Sequence, residues 1–209
     1  MKKLFLLYRV AMLCLLFTIC LIPMNGQSSK PPFSYLSIKG RTAETKHNLK
    51  YRIKIARSYK LLAQVNYQPT FSGRPFNVSL AAFTRGDSFL MIHAEMHTDG
   101  SGGLDYSDLQ SDLLDGKKFT SKFDCAELGA SSVNEEHDLR FLNENGFSPT
   151  PAIYIKQYFA TSADGTSEIV ITNGKRISDC SVKTLTDLFK SNFDRETRDL
   201  VKIRSVVTK

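Results

Sequence analysis

Two neighbouring stretches of the chain alternate apolar and polar side chains with the period of two that is typical of a β-strand. They run from Pro75 to Thr84 and from Ser88 to His97, and Gly86 lies between them. Two such stretches joined by a short glycine-containing turn predict a β-hairpin. One face of the second strand carries the side chains of Leu90, Ile92, Ala94 and Met96. We expect this face to be the core side.

Two more hairpins are predicted further along the chain. Leu113-Leu114 leads through the turn pair Asp115-Gly116 to an aromatic-rich stretch that ends near Cys125. Ala152 to Thr161 and Glu168 to Thr172 flank a turn-rich tetrapeptide in the same way.

Helical periodicity occurs in two places. The first predicted helix begins at a cap formed by Ser131 or Ser132 and ends at Gly146. Its apolar stripe consists of Val133, Leu139 and Leu142. The second is an amphipathic helix near the C-terminus, with an apolar stripe made of Leu185, Leu188, Phe189 and Phe193.

These elements predict an α+β fold: an antiparallel sheet built of hairpins and covered by an internal helix and a C-terminal amphipathic helix. We expect residues 50–209 to form one domain, because the roughly 180 residues that remain after removal of an N-terminal leader are too few for two domains with separate hydrophobic cores. Its first strand is predicted around Tyr51 to Ile55, and Tyr59 to Gln64 is interpreted as a helical continuation. Residues 27–49 are polar and contain Pro31-Pro32, which predicts a linker or a loose N-terminal arm.

The first 26 residues have the order of a secretory signal peptide. Lys2, Lys3 and Arg9 are followed by an apolar run from Val10 to Ile22, and Gly26 is the best small residue before a cleavage point. A run of about 13 residues rises only about 20 Å as a helix, which is too short for a stable transmembrane span. We therefore expect a cleaved signal peptide and a secreted, periplasmic or cell-envelope protein.

Two alternatives to cleavage are weighed against this expectation. Lipidation at Cys20 is disfavoured because the bulky Ile19 precedes it. An uncut leader would instead tether the domain to the envelope, with residues 27–49 as a spacer.

Charge argues against nucleic acid as a partner. The formal net charge is +7, from 28 basic and 21 acidic residues, but three of the bases lie in the leader. The remaining surplus is spread along the chain among acids rather than gathered into a patch that could follow a phosphate backbone.

Cysteine usage agrees with export. Cys14 and Cys20 lie in the leader, so the mature chain keeps only Cys125 and Cys180. An even pair in an oxidising compartment predicts one disulfide, with two buried free thiols as the alternative.

The most distinctive cluster of polar residues is His93, Glu95 and His97. In a strand these side chains project to one face about 6–7 Å apart, so two of them could reach one zinc-like ion with help from elsewhere. The favoured interpretation is a polar, solvent-exposed face of an edge or half-covered strand, on which a ligand could also bind.

An acidic loop follows directly, and its Asp99 and Asp105 are the candidates for completing a metal site with His93 and His97. The loop does not have the ligand spacing of an EF-hand, so calcium would need an irregular site. A solvated loop explains the same residues. The sequence therefore predicts no cofactor, with zinc or calcium as the alternative.

Tyr154 and Tyr158 would share one face of a predicted strand. They could stack on a ligand, although core packing explains them equally well.

No complete set of catalytic residues is present: there is no nucleophile elbow and no cysteine beside a histidine. Our main hypothesis is an exported, non-catalytic binding or accessory domain whose partner is a protein or a small molecule. The alternative is a metal-assisted hydrolase that uses His93, Glu95 and His97.

Overall fold

The computed structural model describes residues 33–102 and 104–205. It consists mostly of antiparallel sheet with few helices. The signal peptide predicted over residues 1–26 lies outside the described residues.

Four strands form the smaller sheet, in the order β1-β2-β3-β12. Their bounds are Leu36–Lys39 for β1, Thr42–Thr45 for β2, Tyr51–Ile55 for β3 and Val201–Ser205 for β12. Strands β1 and β2 lie in the stretch for which we expected a linker or loose arm. The apolar Leu36 and Ala43 are buried with Ile53 of β3, so both strands contribute to the core. Their alternation of apolar and polar residues is too short to identify a strand from the sequence.

The larger sheet has the order β4-β6-β7-β11-β10-β9-β8, and β5 pairs with β6. The first strands are β4 (Lys60–Tyr67), β5 (Thr70–Phe71), β6 (Arg74–Arg85) and β7 (Ser88–His97). The others are β8 (Gln110–Leu114), β9 (Lys117–Glu127), β10 (Ala152–Thr161) and β11 (Ser167–Ile177). Each of the pairs β6/β7, β8/β9 and β10/β11 is antiparallel and joins successive strands.

Three helices are described: α1 (Ala130–Glu135), α2 (His137–Glu144) and α3 (Asp187–Leu200). The sequence predicted a single helix where α1 and α2 lie. The chain is extended at Glu136, with φ −85° and ψ 118°, which separates the two. In α3, Leu188 is exposed and the buried side chains are Phe193, Thr197 and Leu200, so the buried stripe lies further along the helix than predicted.

The larger sheet is covered on both faces. On one face Leu90 and Ile92 of β7 pack in a cluster with Ile53 and Ile203 of the smaller sheet, and α3 packs on the same face through Phe193 and Tyr154. On the other face, Phe89 and Met91 of β7 pack with Phe141 and Leu142 of α2. This second apolar cluster ends before residue 93, and a pocket begins there.

Candidate functional site: a buried polar pocket

Strand β7 places His93, Glu95 and His97 on the face that α2 partly covers. They are buried, with only 3%, 7% and 2% of their surface exposed. The expectation of a solvent-exposed polar face, on an edge or half-covered strand, was wrong because these side chains are buried. β7 is a central strand between β6 and β11, and side chains from α2 and from the loop after β7 close over the same face.

These side chains lie at a pocket of about 680 Å³. Glu168 and Val170 of β11 and Phe159 of β10 extend its sheet-side wall, because they stand in register with β7 on the same face. Phe76, Tyr106 and Phe71 supply aromatic surface, while Lys122 and Arg74 contribute cationic groups from exposed positions. The volume falls in the range of sites that enclose a small molecule.

An ion pair joins β7 to α2 at one end of the pocket. His93 Nε2 lies 3.1 Å from Asp138 Oδ2, although neither ring nitrogen makes an aligned hydrogen bond. Burial alone would lower the pKa of His93, but the charge of the Asp138 carboxylate outweighs it and raises that pKa to about 9. Burial opposes ionisation of Asp138 too, yet His93 and its hydrogen-bond donors hold its pKa well below the ordinary range.

Asp138 is further anchored by its neighbours. Tyr67 of β4 donates its hydroxyl to Asp138 Oδ1 at 3.2 Å. The Tyr67 ring stacks on His137, with centroids 3.6 Å apart. The imidazolium of His93 therefore faces a carboxylate that belongs to α2 and is held in place by Tyr67 of β4.

A second acidic group lies beside the first. Glu95 and Glu168 are directly opposite each other in the β7/β11 register. Tyr106 donates its hydroxyl to Glu168 Oε2 at 2.7 Å, and burial raises the pKa of this tyrosine so that it stays a donor. Burial also raises the pKa of Glu95 to about 8, with help from the charge of Glu168, and raises the pKa of Glu168. At neutral pH the two carboxyls therefore hold a proton between them.

His97 lies near the edge of the pocket. Its ring packs on Phe76, with centroids 4.1 Å apart, and its Nδ1 is 3.5 Å from Ser101 Oγ and 4.0 Å from Asp99 Oδ1. Its Nε2 is buried and has no hydrogen-bond partner among the described residues.

The geometry does not assemble the metal site considered from the sequence. Among residues 33–102 and 104–205, no group of three or more His, Cys, Asp or Glu side chains is arranged to hold a metal ion. Asp99 and Asp105 instead accept backbone N–H bonds from Ser101 and Ser107, each at 2.9 Å, within their own loop.

Tyr154 and Tyr158 lie on the opposite face of the sheet from His93. Tyr158 is fully buried in the cluster between the two sheets, and Tyr154 packs against Phe189 and Phe193 of α3. Core packing therefore accounts for both rings, and neither lines the pocket.

Sequence reasoning missed several pocket residues. Asp138 was interpreted as an acid that complements a helix dipole, and nothing local distinguishes it from such a residue. Glu168 could have been noticed from the sequence, since it is an acid directly before the apolar residues of a predicted strand. Its position opposite Glu95, however, depends on the pairing of β7 with β11. Tyr106 comes from an irregular loop that has no periodicity to interpret.

Cys125 of β9 and Cys180 form a disulfide, with a Cα–Cα distance of 5.9 Å, as the cysteine count predicts. Across the described residues, no helix has both the length and the apolar character needed to span a bilayer. Comparisons of the chain with protein-family models, with curated proteins and with solved structures found no match.

Proposed function

We propose that the chain is an exported domain that binds a small molecule in the pocket between β7 and α2, without catalysing a reaction. The observation that carries this proposal is the pocket's combination of buried ionisable groups with aromatic surface at one concave site. Pockets of this kind, with a few convergent polar groups, are the usual form of small-molecule sites.

The free-energy penalty of burying ionisable side chains supports a binding role. Burying Glu95, Glu168 and His93 opposes folding unless the groups are paired, and an apolar extension of the Phe89 and Met91 face would avoid that penalty. Groups that are expensive for folding and that converge on a cavity are candidates for function.

The disulfide and the leader support export. A structural disulfide between Cys125 and Cys180 forms and persists in an oxidising compartment. The mass of the exported protein tests the leader: we expect an N-terminus near Gln27, whereas a mass that includes Met1 would favour the tethered alternative.

Binding can be tested with a blocked pocket. Leu104 lines the pocket, and Leu104→Trp would fill part of it. Leu113→Trp is the matched control, because Leu113 is 57% exposed on β8 and does not line the pocket. We expect a small-molecule library screened by thermal shift to yield compounds that raise the melting temperature of the wild type and of Leu113→Trp but not of Leu104→Trp.

Two results would contradict the binding proposal: a library without any stabilising compound, or compounds that stabilise Leu104→Trp as much as the wild type. Elemental analysis addresses the metal-assisted hydrolase. Bound zinc or calcium, together with a lower melting temperature after chelation, would favour that alternative.

A further inference from the structure

We infer that the pocket takes an organic cation, namely a protonated amine on an apolar or aromatic body, with the ammonium group against the carboxyls of Glu95 and Glu168. This inference rests on the proposed binding function and names the chemical class of its ligand. Two observations support it: which acids of the pocket have a cation in contact, and which aromatic side chains surround the acids that have none.

Only one of the three acids at the pocket has a resident cation. Asp138 faces His93 at 3.1 Å. Within the described part of the chain, no Lys, Arg or His nitrogen lies within 4.0 Å of a carboxyl oxygen of Glu95 or Glu168. The pair is thus a buried acidic site without a cation in contact, although the charge of His93, from a greater distance, opposes the rise that burial causes in the pKa of both carboxyls.

Glu95 is the less satisfied member of the pair. Glu168 accepts the Tyr106 hydroxyl in addition to its contact with Glu95, whereas the hydrogen-bond partner of the Glu95 carboxyl is the Glu168 carboxyl. The side chain is nevertheless 93% buried and lines the pocket, since the residue is 7% exposed. A ligand that donates hydrogen bonds and carries positive charge would replace the proton that the two carboxyls share and would place a cation in contact with them.

The other charged groups of the pocket do not contact the carboxyls of Glu95 and Glu168. His93 and His97 lie on the same strand, and Tyr67 of β4 and Asp138 of α2 close one end. Arg74 of β6 is engaged elsewhere, since its Nη1 donates to the carbonyl of Gly102 at 2.8 Å. Lys122 of β9 lies at the pocket wall, with its Nζ 5.7 Å from the centroid of the Phe159 ring.

Aromatic rings provide the rest of a cation site. Tyr106 stacks on Phe159 with centroids 4.4 Å apart, and Phe71 lies against Phe76 at 5.3 Å. Ring faces attract ammonium groups and also accept the apolar body of an amine. An anion would instead meet the two carboxyls, and a neutral alcohol would gain hydrogen bonds without the charge interaction.

Binding of a cation has a proton signature. Without a ligand, burial and mutual repulsion keep a proton on the Glu95/Glu168 pair at neutral pH. An ammonium group between the carboxyls favours their ionised forms, so binding releases that proton. Affinity for an amine should therefore rise as the pH increases from 6 to 8.

The experiment compares three probes that share one aromatic body: 2-phenylethylammonium, 2-phenylethanol and 3-phenylpropanoate. Isothermal titration calorimetry with the exported protein at pH 6 and pH 8, in buffers of different ionisation enthalpy, gives affinity and proton release together. We expect the amine to bind at least tenfold more tightly than either other probe at pH 8, with proton release on binding.

Two variants locate the effect. Glu95→Gln should weaken amine binding at least tenfold and abolish the pH dependence, while leaving 2-phenylethanol unaffected. Glu135→Gln is the control, since Glu135 is exposed on α1 and outside the pocket. Glu168→Gln, which leaves Glu95 in place, should also weaken the amine and serves as the second variant if Glu95→Gln does not fold.

The outcomes separate this inference from the binding proposal. Equal or tighter binding of the alcohol or the anion overturns the cation inference, as does failure of the amine to bind. If library compounds still stabilise the wild type but not Leu104→Trp, the binding function stands and only the ligand class is wrong. If no compound of any charge acts through the pocket, both are wrong.

Discussion

Glu95 and His93 hold protons more tightly in the folded protein than in an unfolded chain, and this makes stability depend on pH. The pKa of Glu95 rises from 4.5 to about 8, and that of His93 from 6.5 to about 9. A group whose pKa is raised by folding stabilises the protein fully below its unfolded value and loses that contribution as the pH rises through the folded value. The stabilising contributions of both groups are therefore lost as the pH rises from about 4.5 to 9.

We predict that the free energy of unfolding falls by several kcal/mol from pH 5 to pH 9, since both pKa values are raised and one pKa unit corresponds to about 1.4 kcal/mol. Glu95→Gln should remove much of the fall between pH 4.5 and 8, because an amide does not ionise. Urea denaturation at several pH values measures this. Glu135→Gln should keep the wild-type profile, and a flat profile in the wild type would contradict the prediction.

Three residues that line this pocket were singled out from the sequence. His93, Glu95 and His97 stand out because three polar side chains on one face interrupt an apolar strand. Their partners Asp138 and Glu168 come from elements 45 and 73 residues away from His93 and Glu95 in the numbering, and only the fold brings them together. Burial of the strand's second face depends on the same distant elements, which is why an exposed polar face was the wrong expectation.

At the level of elements, the pairing of β7 with β11 depends on one glycine. Gly174 lies opposite Phe89 in the register, and a Cβ atom at position 174 would overlap the Phe89 ring. Gly174→Ala should therefore lower the free energy of unfolding by about 1–3 kcal/mol through overpacking. Thermal and denaturant unfolding measure the change.

A control and a rescue distinguish overpacking from a general cost of replacing glycine. Gly129→Ala should cost at most about 1 kcal/mol, because nothing lies within 4 Å of a Cβ atom there and φ is −94°, so the loss comes only from a weaker N-cap on α1. Adding Phe89→Leu to Gly174→Ala should recover part of the loss. An equally destabilising Phe89→Leu in both backgrounds, with no coupling, would contradict the proposed clash.

Lys156 links three elements on the other face of the sheet. It is 2% exposed on β10, and its ammonium contacts Asp112 of β8 and Asp194 of α3. Removing one side of a buried ion pair leaves uncompensated charge, which typically costs about 3–5 kcal/mol. We predict a loss of this size for Lys156→Ala in denaturant unfolding.

The exposed Lys118 provides the comparison, and Lys118→Ala should change stability little. Asp112→Asn and Asp194→Asn, added to Lys156→Ala, should recover part of the loss because they remove the stranded charges. A triple variant no more stable than Lys156→Ala would show that the lost packing of the lysine stem, and not charge, is responsible.

Elements with strong local signals were predictable, and those defined by distant contacts were not. The glycine turns at Gly86 and Gly116 have positive φ values of 55° and 74°, and the stretches predicted as hairpin strands around them coincide with β6, β7, β8 and β9. The helical interpretation of Tyr59 to Gln64 was wrong: all of this stretch after Tyr59 lies in β4, because its backbone pairs with β6. Strands β1 and β2 have four residues each, too few for periodicity to be decisive.

At the scale of the whole molecule, the larger sheet is buried on one face by the smaller sheet and α3. The other face is divided between an apolar part under α2 and the polar pocket. Buried apolar contacts on both sides hold β7 in place, so His93, Glu95 and His97 are positioned by a packed strand rather than by a loop. Such support is what a preorganised binding site requires.

The disulfide constrains the molecule as a whole, because Cys125 and Cys180 enclose α1, α2, β10 and β11. Closing a loop of about 56 residues stabilises a fold by roughly 4 kcal/mol on the chain-entropy model. We predict that Cys125→Ser lowers the midpoint of urea unfolding under non-reducing conditions, and that reduced wild-type protein approaches the variant. Cys125→Ser/Cys180→Ser should match Cys125→Ser. Two alkylatable thiols in the untreated protein, or an unchanged midpoint in the variant, would contradict a stabilising bridge.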